Sequence, residues 1–200
     1  MIVLLDNGHG ADTPGKHSPD LRLREWAWTR AMVRSIIDRL REEGIDARTL
    51  VPEEHDLPLA QRVNRVNSLC RLYGADNVVL ISVHNNASGA DGQWHEPSGF
   101  LPFVSPNASE ASRRLASLLY DEARRARLLG NRAPCRNGYA VANLYICRKT
   151  LCPAVLTENL FQDNRGDVEF LLSAKGRRTL CELHVRAIKR YLATKNSSQS

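Results

Sequence analysis

The chain has 200 residues, of which 42% are hydrophobic and 25% charged, and its formal net charge is +6. This length and composition indicate one globular domain with a sizeable core and exclude an intrinsically disordered protein. No apolar run approaches the length of a membrane-spanning helix, so no transmembrane segment is expected.

The first half of the chain alternates apolar strands with amphipathic helices. Gly44 is expected to end the first helix, because glycine readily takes the backbone conformation that follows a helix. The predicted elements are a strand over 2–6, a helix from Trp26 to Glu43, a strand over 45–51, a helix over 57–74 and a strand over 77–84.

The second half continues the alternation. It predicts a strand over 98–105, a helix over 107–130, strands over 142–148 and 153–158, and a closing helix from Ser173 to Leu192. Asn107 and Glu110 stand at the spacing of a capping box for the second of these elements.

This alternation predicts an α/β fold: a single three-layer domain with a mostly parallel, twisted sheet of about six strands and helices on both faces. We expect the domain to span 1–194, followed by a flexible polar tail at 195–200.

Cysteine usage and the first residues bear on localisation. The five cysteines form no CxxC pair, which favours structural thiols in a reduced compartment and hence synthesis in a cytoplasm. The opening residues carry neither the basic nor the long apolar segment of a signal peptide. If the protein acts outside the cell that makes it, we expect a partner to release it.

Three of the buried strands end at residues that can do chemistry. The first ends at His9 within DNGHG, the strand over 77–84 ends at His84, and the strand over 153–158 ends at Glu158. Because the carboxyl ends of parallel strands form one edge of an open α/β sheet, these side chains can meet there. Glu25 lies at the start of the first helix, where the helix dipole favours a carboxylate, and it can point to the same edge.

Two imidazoles and one carboxylate make a three-ligand zinc site with an open position for water, which is typical of hydrolytic zinc. The remaining glutamate would then act as a general base. Each residue taken alone is also consistent with a surface or capping group, whereas the four together favour a metal site.

Four segments in this order resemble the type 3 family of zinc-dependent N-acetylmuramoyl-L-alanine amidases, which cleave the bond between the glycan and the stem peptide of bacterial peptidoglycan. They are LLDNGHG, LREWAW, LISVHNNA and PAVLTENLFQDN, and the resemblance covers nearly the whole chain. It implies that His9, Glu25 and His84 bind one zinc ion per chain and that Glu158 is the catalytic carboxylate.

Three positions depart from the family pattern. Asn7 stands where the family usually has proline, Asn85 where it has alanine, and Leu160 where it has glycine. Leu160 bears on the cleft beside Glu158, because a residue with a Cβ resists the left-handed dihedrals that glycine takes freely.

Three further residues are candidates for supporting roles. Asn86 matches the asparagine of the family's histidine segment, and we expect it to orient His84 or the loop beneath the metal. Trp94 and His95 lie on a loop with glycine and proline soon after His84, where they could line the substrate cleft or simply pack the loop.

The predicted protein is an endolysin-like peptidoglycan hydrolase that acts on the cell wall. One alternative is a zinc peptidase that cuts the stem peptide with the same ligands, and another is a non-catalytic wall-binding relative. The positive charge suggests a nucleic-acid-binding protein as a third, but the sequence lacks the interleaved aromatic and basic residues of such proteins, so no specific nucleic acid is expected.

Overall fold

The computed structural model describes residues 1–131 and 135–196, and a mixed β-sheet forms its centre. The strands are β1 (Ile2–Asn7), β2 (Ala47–Thr49), β3 (Val78–Asn86), β4 (Leu101–Val104), β5 (Ala140–Val141) and β6 (Ala154–Phe161). The sheet order is β2-β1-β3-β6-β4-β5. The β2, β1, β3 and β6 strands are parallel, β4 runs antiparallel to β6, and β5 runs parallel to β4.

Helices cover both faces of this sheet. They are α1 (Glu25–Glu42), α2 (Leu59–Tyr73), α3 (Glu110–Arg125), α4 (Tyr145–Lys149), α5 (Arg165–Leu172) and α6 (Ala174–Asn196). Helices α1, α3, α5 and α6 pack on one face, and α2 and α4 pack on the other. The predicted three-layer α/β architecture is therefore confirmed.

The alternation of side chains along the central strands explains the two core layers. Val79 and Ile81 of β3 lie in the layer beneath α1 and α6, whereas Leu80 between them lies in the layer beneath α2. Successive strand residues point to opposite faces, so a strand covered on both sides must be apolar throughout. This is why the strand over 77–84 has a continuous apolar run rather than an alternating one.

Three details of the predicted elements are corrected. The segment 142–148 is not a strand: β5 ends at Val141, and the short helix α4 begins at Tyr145. Helix α3 is capped by Ser109, whose side chain accepts a hydrogen bond from the Ser112 amide, so Asn107 is not its N-cap. Helix α5, between β6 and the closing helix, was not predicted.

The C-terminal helix is longer than expected. It continues to Asn196, and the part of the predicted tail at 197–200 lies outside the described residues. Within residues 1–131 and 135–196, no helix combines the length and apolar character needed to cross a bilayer.

A bulge interrupts the pairing of β3 with β6 at the end where the chemistry-bearing residues lie. His84 is in register with Glu158, but Asn86 is in register with Phe161, so β6 has one extra residue in this interval. Leu160 lies in the interval with a left-handed φ of 64° and is 2% exposed. The leucine therefore adopts the conformation that glycine takes freely.

Candidate metal centre

The glycines on either side of His9 are required by close approaches of other parts of the chain. A Cβ on Gly8 would lie 2.3 Å from Cε1 of His84, and a Cβ on Gly10 would lie 2.0 Å from the backbone nitrogen of Asp56. His9 itself has a φ of 61°, a left-handed conformation in which histidine is enriched among residues other than glycine. The DNGHG segment therefore turns sharply out of β1 and lies against the end of β3.

The carboxylate of Glu25 lies close to both imidazoles. Its Oε1 lies 3.1 Å from Nδ1 of His84 and 3.6 Å from Nε2 of His9. The same oxygen accepts a hydrogen bond of 2.9 Å from the backbone amide of Asn85. The His9 and His84 rings are perpendicular, with centroids 5.0 Å apart. First-turn placement on α1 thus brings the carboxylate over the edge of the sheet.

Exposure differs among the three side chains. Glu25 is 1% exposed, whereas 21% of the His9 side chain and 18% of the His84 side chain remain accessible. The carboxylate of Glu25 therefore lies at the buried end of the cluster, and both imidazoles can be reached from solvent.

Burial and mutual contact determine the charge states. Burial lowers the pKa of His9 to about 4, against the attraction of Glu25. Burial opposes ionisation of Glu25, but its hydrogen bond to His84 and the two imidazoles outweigh this and lower its pKa. Burial opposes protonation of His84, but the hydrogen bond and charge of Glu25 outweigh it and raise the pKa of His84. Glu25 is thus an anion, and His9 is a neutral imidazole with a lone pair available to a metal.

The geometry of the cluster would allow it to hold a metal ion. One ligand atom from each of His9, Glu25 and His84 can be chosen such that all lie within 4.8 Å of one another. The second carboxylate oxygen of Glu25, Oε2, is buried without a hydrogen-bond partner. A buried carboxylate oxygen without a donor is expensive unless a cation or donor completes its environment. The donor set of two imidazoles and one carboxylate suits zinc with an open coordination position.

Glu158 lies next to this cluster on the neighbouring strand. It is in register with His84 across the β3–β6 pairing, and its charge raises the pKa of His84. The two residues therefore lie at the same edge of the sheet, as the strand ends predicted. A pocket of about 510 Å³ opens beside His9 and His84 and is also lined by Ser82 and Leu156.

Of the residues predicted to support the site, Asn86 is the last residue of β3 and His95 lies in the loop that follows it. The Asn86 side chain accepts a hydrogen bond of 2.9 Å from the amide of Ala87, so it shapes the start of this loop. His95 places its Nε2 2.9 Å from Oδ1 of Asp91, and its backbone amide donates to the carbonyl of Asp163. The contacts of both side chains are thus within the loop.

Two asparagines to which the sequence analysis gave no role in the site link the strands beneath the cluster. The side-chain amide of Asn85 donates to the carbonyl of Asn159 at 2.8 Å, and the side-chain amide of Asn159 donates to the carbonyl of His84 at 3.0 Å. This reciprocal pair braces the bulge that contains Leu160. Asn85, which departs from the family pattern, therefore has a hydrogen-bond partner on the neighbouring strand.

The fold and the site together define an α/β protein with a candidate metal centre at the carboxyl edge of its sheet. Residues 3–190 match the family described as N-acetylmuramoyl-L-alanine amidase. The chain belongs to this family, and it is accordingly an amide hydrolase.

Individual relatives agree with this assignment, and a solved structure shares the fold. The N-acetylmuramoyl-L-alanine amidase CwlM of Bacillus licheniformis is 26% identical over 94% of this chain and 67% of its own length. The endolysin of Bacillus phage SPP1 is 25% identical over 98% of this chain and 68% of its own. The catalytic domain of the amidase CwlV from Bacillus (Paenibacillus) polymyxa var. colistinus has the same fold, with a TM-score of 0.78, 22% identity and coverage of 96% and 98% of the two chains.

Proposed function

We propose that this protein is a zinc-dependent N-acetylmuramoyl-L-alanine amidase that hydrolyses the amide bond between N-acetylmuramic acid and L-alanine in bacterial peptidoglycan. The observation that carries the proposal is the convergence of His9, Glu25 and His84 at the carboxyl edge of the sheet, with Glu158 on the adjacent strand. Family membership supports the choice of the bond that is cleaved, and the cluster supports the dependence on a metal.

The metal ligands have different tasks in this proposal. Glu25 anchors the site, because it is buried and ionised and is fixed by the amide of Asn85. His9 and His84 hold the outer side, where their accessible edges leave room for substrate and water. When bound, zinc supplies polarisation of the scissile carbonyl and a water molecule of lowered pKa.

Glu158 is proposed as the general base and acid. It accepts a proton from the attacking water and returns it to the nitrogen of the leaving L-alanine, which is the role that a carboxylate beside a hydrolytic metal site can fill. Its register position opposite His84 favours this role over that of a remote surface charge.

The substrate and the place of action follow from the same proposal. Peptidoglycan is the partner, and the cell wall is where the chain acts after synthesis in a cytoplasm, with release by another protein. A phage endolysin among the relatives supports action on the cell wall.

The test is a digestion of purified peptidoglycan with the protein as purified, after chelation, and after zinc is restored. We expect about one zinc per chain by elemental analysis, loss of wall clearing on chelation and recovery on zinc addition. Mass spectrometry of the products should show a newly freed amino group on L-alanine. Chelator-resistant clearing would contradict the zinc assignment, and cleavage within the stem peptide would instead identify a zinc peptidase.

A further inference from the structure

The backbone carbonyl of His9 is held by two arginine side chains that come from two different helices. Arg30 of α1 donates to it at 3.0 Å through Nη1, and Arg62 of α2 donates at 3.4 Å through Nη2. The carbonyl belongs to a residue with a left-handed backbone, so these bonds fix the direction in which its imidazole leaves the chain.

Arg30 acts from the same helix that carries Glu25. Besides the His9 carbonyl, it binds the carbonyl of Glu53 through Nε at 3.1 Å and Nη2 at 2.7 Å. The preceding residue, Thr29, is fully buried and donates to the carbonyl of Gly8 at 3.1 Å. The first two turns of α1 therefore hold both the buried carboxylate and the turn that presents His9.

Arg62 approaches the same turn from the opposite side of the sheet. Its side chain is 2% exposed, which is rare for a guanidinium unless all of its donors are used. Its hydrogen bonds reach two carboxylates and three backbone carbonyls: Asp6, Asp56, Asn7, His9 and Leu57. The planar fork of arginine allows one side chain to bind these groups together, which a lysine ammonium cannot do.

The charges in this network offset one another. Arg62 pairs with the carboxylates of Asp6 and Asp56, and Asp56, Asp6 and Glu54 all attract Arg30. Asp6 is held on its other oxygen by the hydroxyl of Ser82 at 2.5 Å. Because carboxylates offset the charge of both guanidiniums, these arginines can fix the backbone without opposing metal binding.

We propose that Arg30 and Arg62 are positioning residues of the metal centre, which clamp the His9 carbonyl and thereby preset the imidazole for the metal. The inference rests on the proposed function only in that a metal must bind. Groups that orient a ligand without touching the metal typically change its affinity by about 10- to 100-fold when removed.

The test compares Arg30→Gln with Arg41→Gln as a matched control. Arg41 lies on the same helix and its Nε also donates to a backbone carbonyl, that of Ala47 at 2.9 Å, away from the metal cluster. Zinc affinity is measured by competition with a chromophoric chelator, ligand geometry by the visible spectrum of the cobalt(II)-substituted protein, and stability by thermal unfolding without metal.

We expect Arg30→Gln to weaken zinc binding by about 10- to 100-fold and to alter the cobalt spectrum, with a metal-free melting temperature shifted no more than that of Arg41→Gln. Arg30→Lys should recover part of the affinity, because a single ammonium can still bind one of the three carbonyls that Arg30 contacts, those of His9, Trp26 and Glu53. Arg62→Lys, which keeps a positive charge for Asp6, should also bind zinc more weakly.

The outcomes separate the two proposals. If wild type binds zinc and both Arg30→Gln and Arg62→Lys match Arg41→Gln in affinity and cobalt spectrum, the positioning role is overturned and the proposed function stands. If wild type itself binds neither zinc nor cobalt, the proposed function is overturned, and the positioning role with it.

Discussion

Leu160 offers a direct measurement of backbone strain beside the site. It is almost fully buried and has a φ of 64°. Leu160→Ala and Leu160→Gly both remove the buried side chain, but only the glycine variant relieves the left-handed conformation. Leu156 is the matched control. It lies on the same strand and is 6% exposed, but its φ is not positive.

The expected magnitudes follow from two opposing terms. Truncation of a buried leucine costs about 2–5 kcal/mol of unfolding free energy. A left-handed conformation costs an L-residue about 1–2 kcal/mol, and glycine within a strand is less favourable than alanine by about 0.5–1 kcal/mol. With mid-range values, the Leu160→Gly variant should therefore be more stable than Leu160→Ala by about 0.7 kcal/mol. At position 156 the glycine variant should be less stable than the alanine variant by a similar amount.

The assay is equilibrium urea unfolding of the four variants in the presence of a chelator, so that metal affinity does not enter the comparison. At each position, the unfolding free energy of the alanine variant is subtracted from that of the glycine variant. The decisive quantity is this difference at 160 minus the difference at 156, which we expect to be about 1–2 kcal/mol in favour of glycine at 160. Equal differences at the two positions would refute the claim that Leu160 is strained.

Three further predictions concern the site and the core. Glu158→Gln should retain zinc, but its rate of wall hydrolysis should fall by about a hundredfold to ten-thousandfold. His84→Ala should lose zinc and activity together. Loss of zinc from Glu158→Gln would instead make Glu158 a ligand. Burial lowers the pKa of His184 from 6.5 to about 4, so the unfolded chain binds more protons at this residue between these values, and the contribution of His184 to stability should fall by about 3 kcal/mol as the pH drops from 6.5 through 4. His184→Gln should flatten this part of the urea-midpoint profile, and an unchanged slope would count against the assignment. Asn85→Ala removes the bond to the Asn159 carbonyl and should lower the unfolding free energy by about 0.5–1.5 kcal/mol, and a neutral result would show that the bulge needs no such brace.

The sheet could be predicted because its central strands carry a strong signal. Residues 2–6, 77–84 and 153–158 are apolar on both faces, which requires helices on either side. Their shared edge follows from parallel pairing, so the meeting of His84 with Glu158 could be anticipated from the order of elements alone. The resemblance then proposed Glu25 as a metal ligand and Glu158 as the general base, a choice that the pattern had left open.

The short helix α4 could not be predicted from its own residues. It has five residues, little more than one turn, and buries the adjacent Ile146 and Cys147 against α2 and β6. Over so short an apolar segment the periods of a strand and a helix cannot be told apart. The contacts made by the folded chain decide the conformation here.

Arg62 shows what sequence reasoning missed around the site and which signal was present. It precedes Val66 by four residues and adjoins Val63, and all three are buried on α2. An arginine on the apolar stripe of an amphipathic helix indicates a buried partner. The identity of that partner, Asp6 at the end of β1, depends on the packing of α2 on the sheet and is not encoded by spacing along the chain.

The arrangement around DNGHG explains why the histidine must stand between two glycines rather than beside one. Gly8 leaves room for the ring of His84, and Gly10 leaves room for the backbone at Asp56, so the turn is pressed between β3 and the loop that enters α2. With no side chain to hold the turn on either side, its conformation depends on bonds to its carbonyls. Arg30 supplies one from α1. The helix that carries the buried carboxylate of Glu25 thus also holds the backbone of the turn that presents His9.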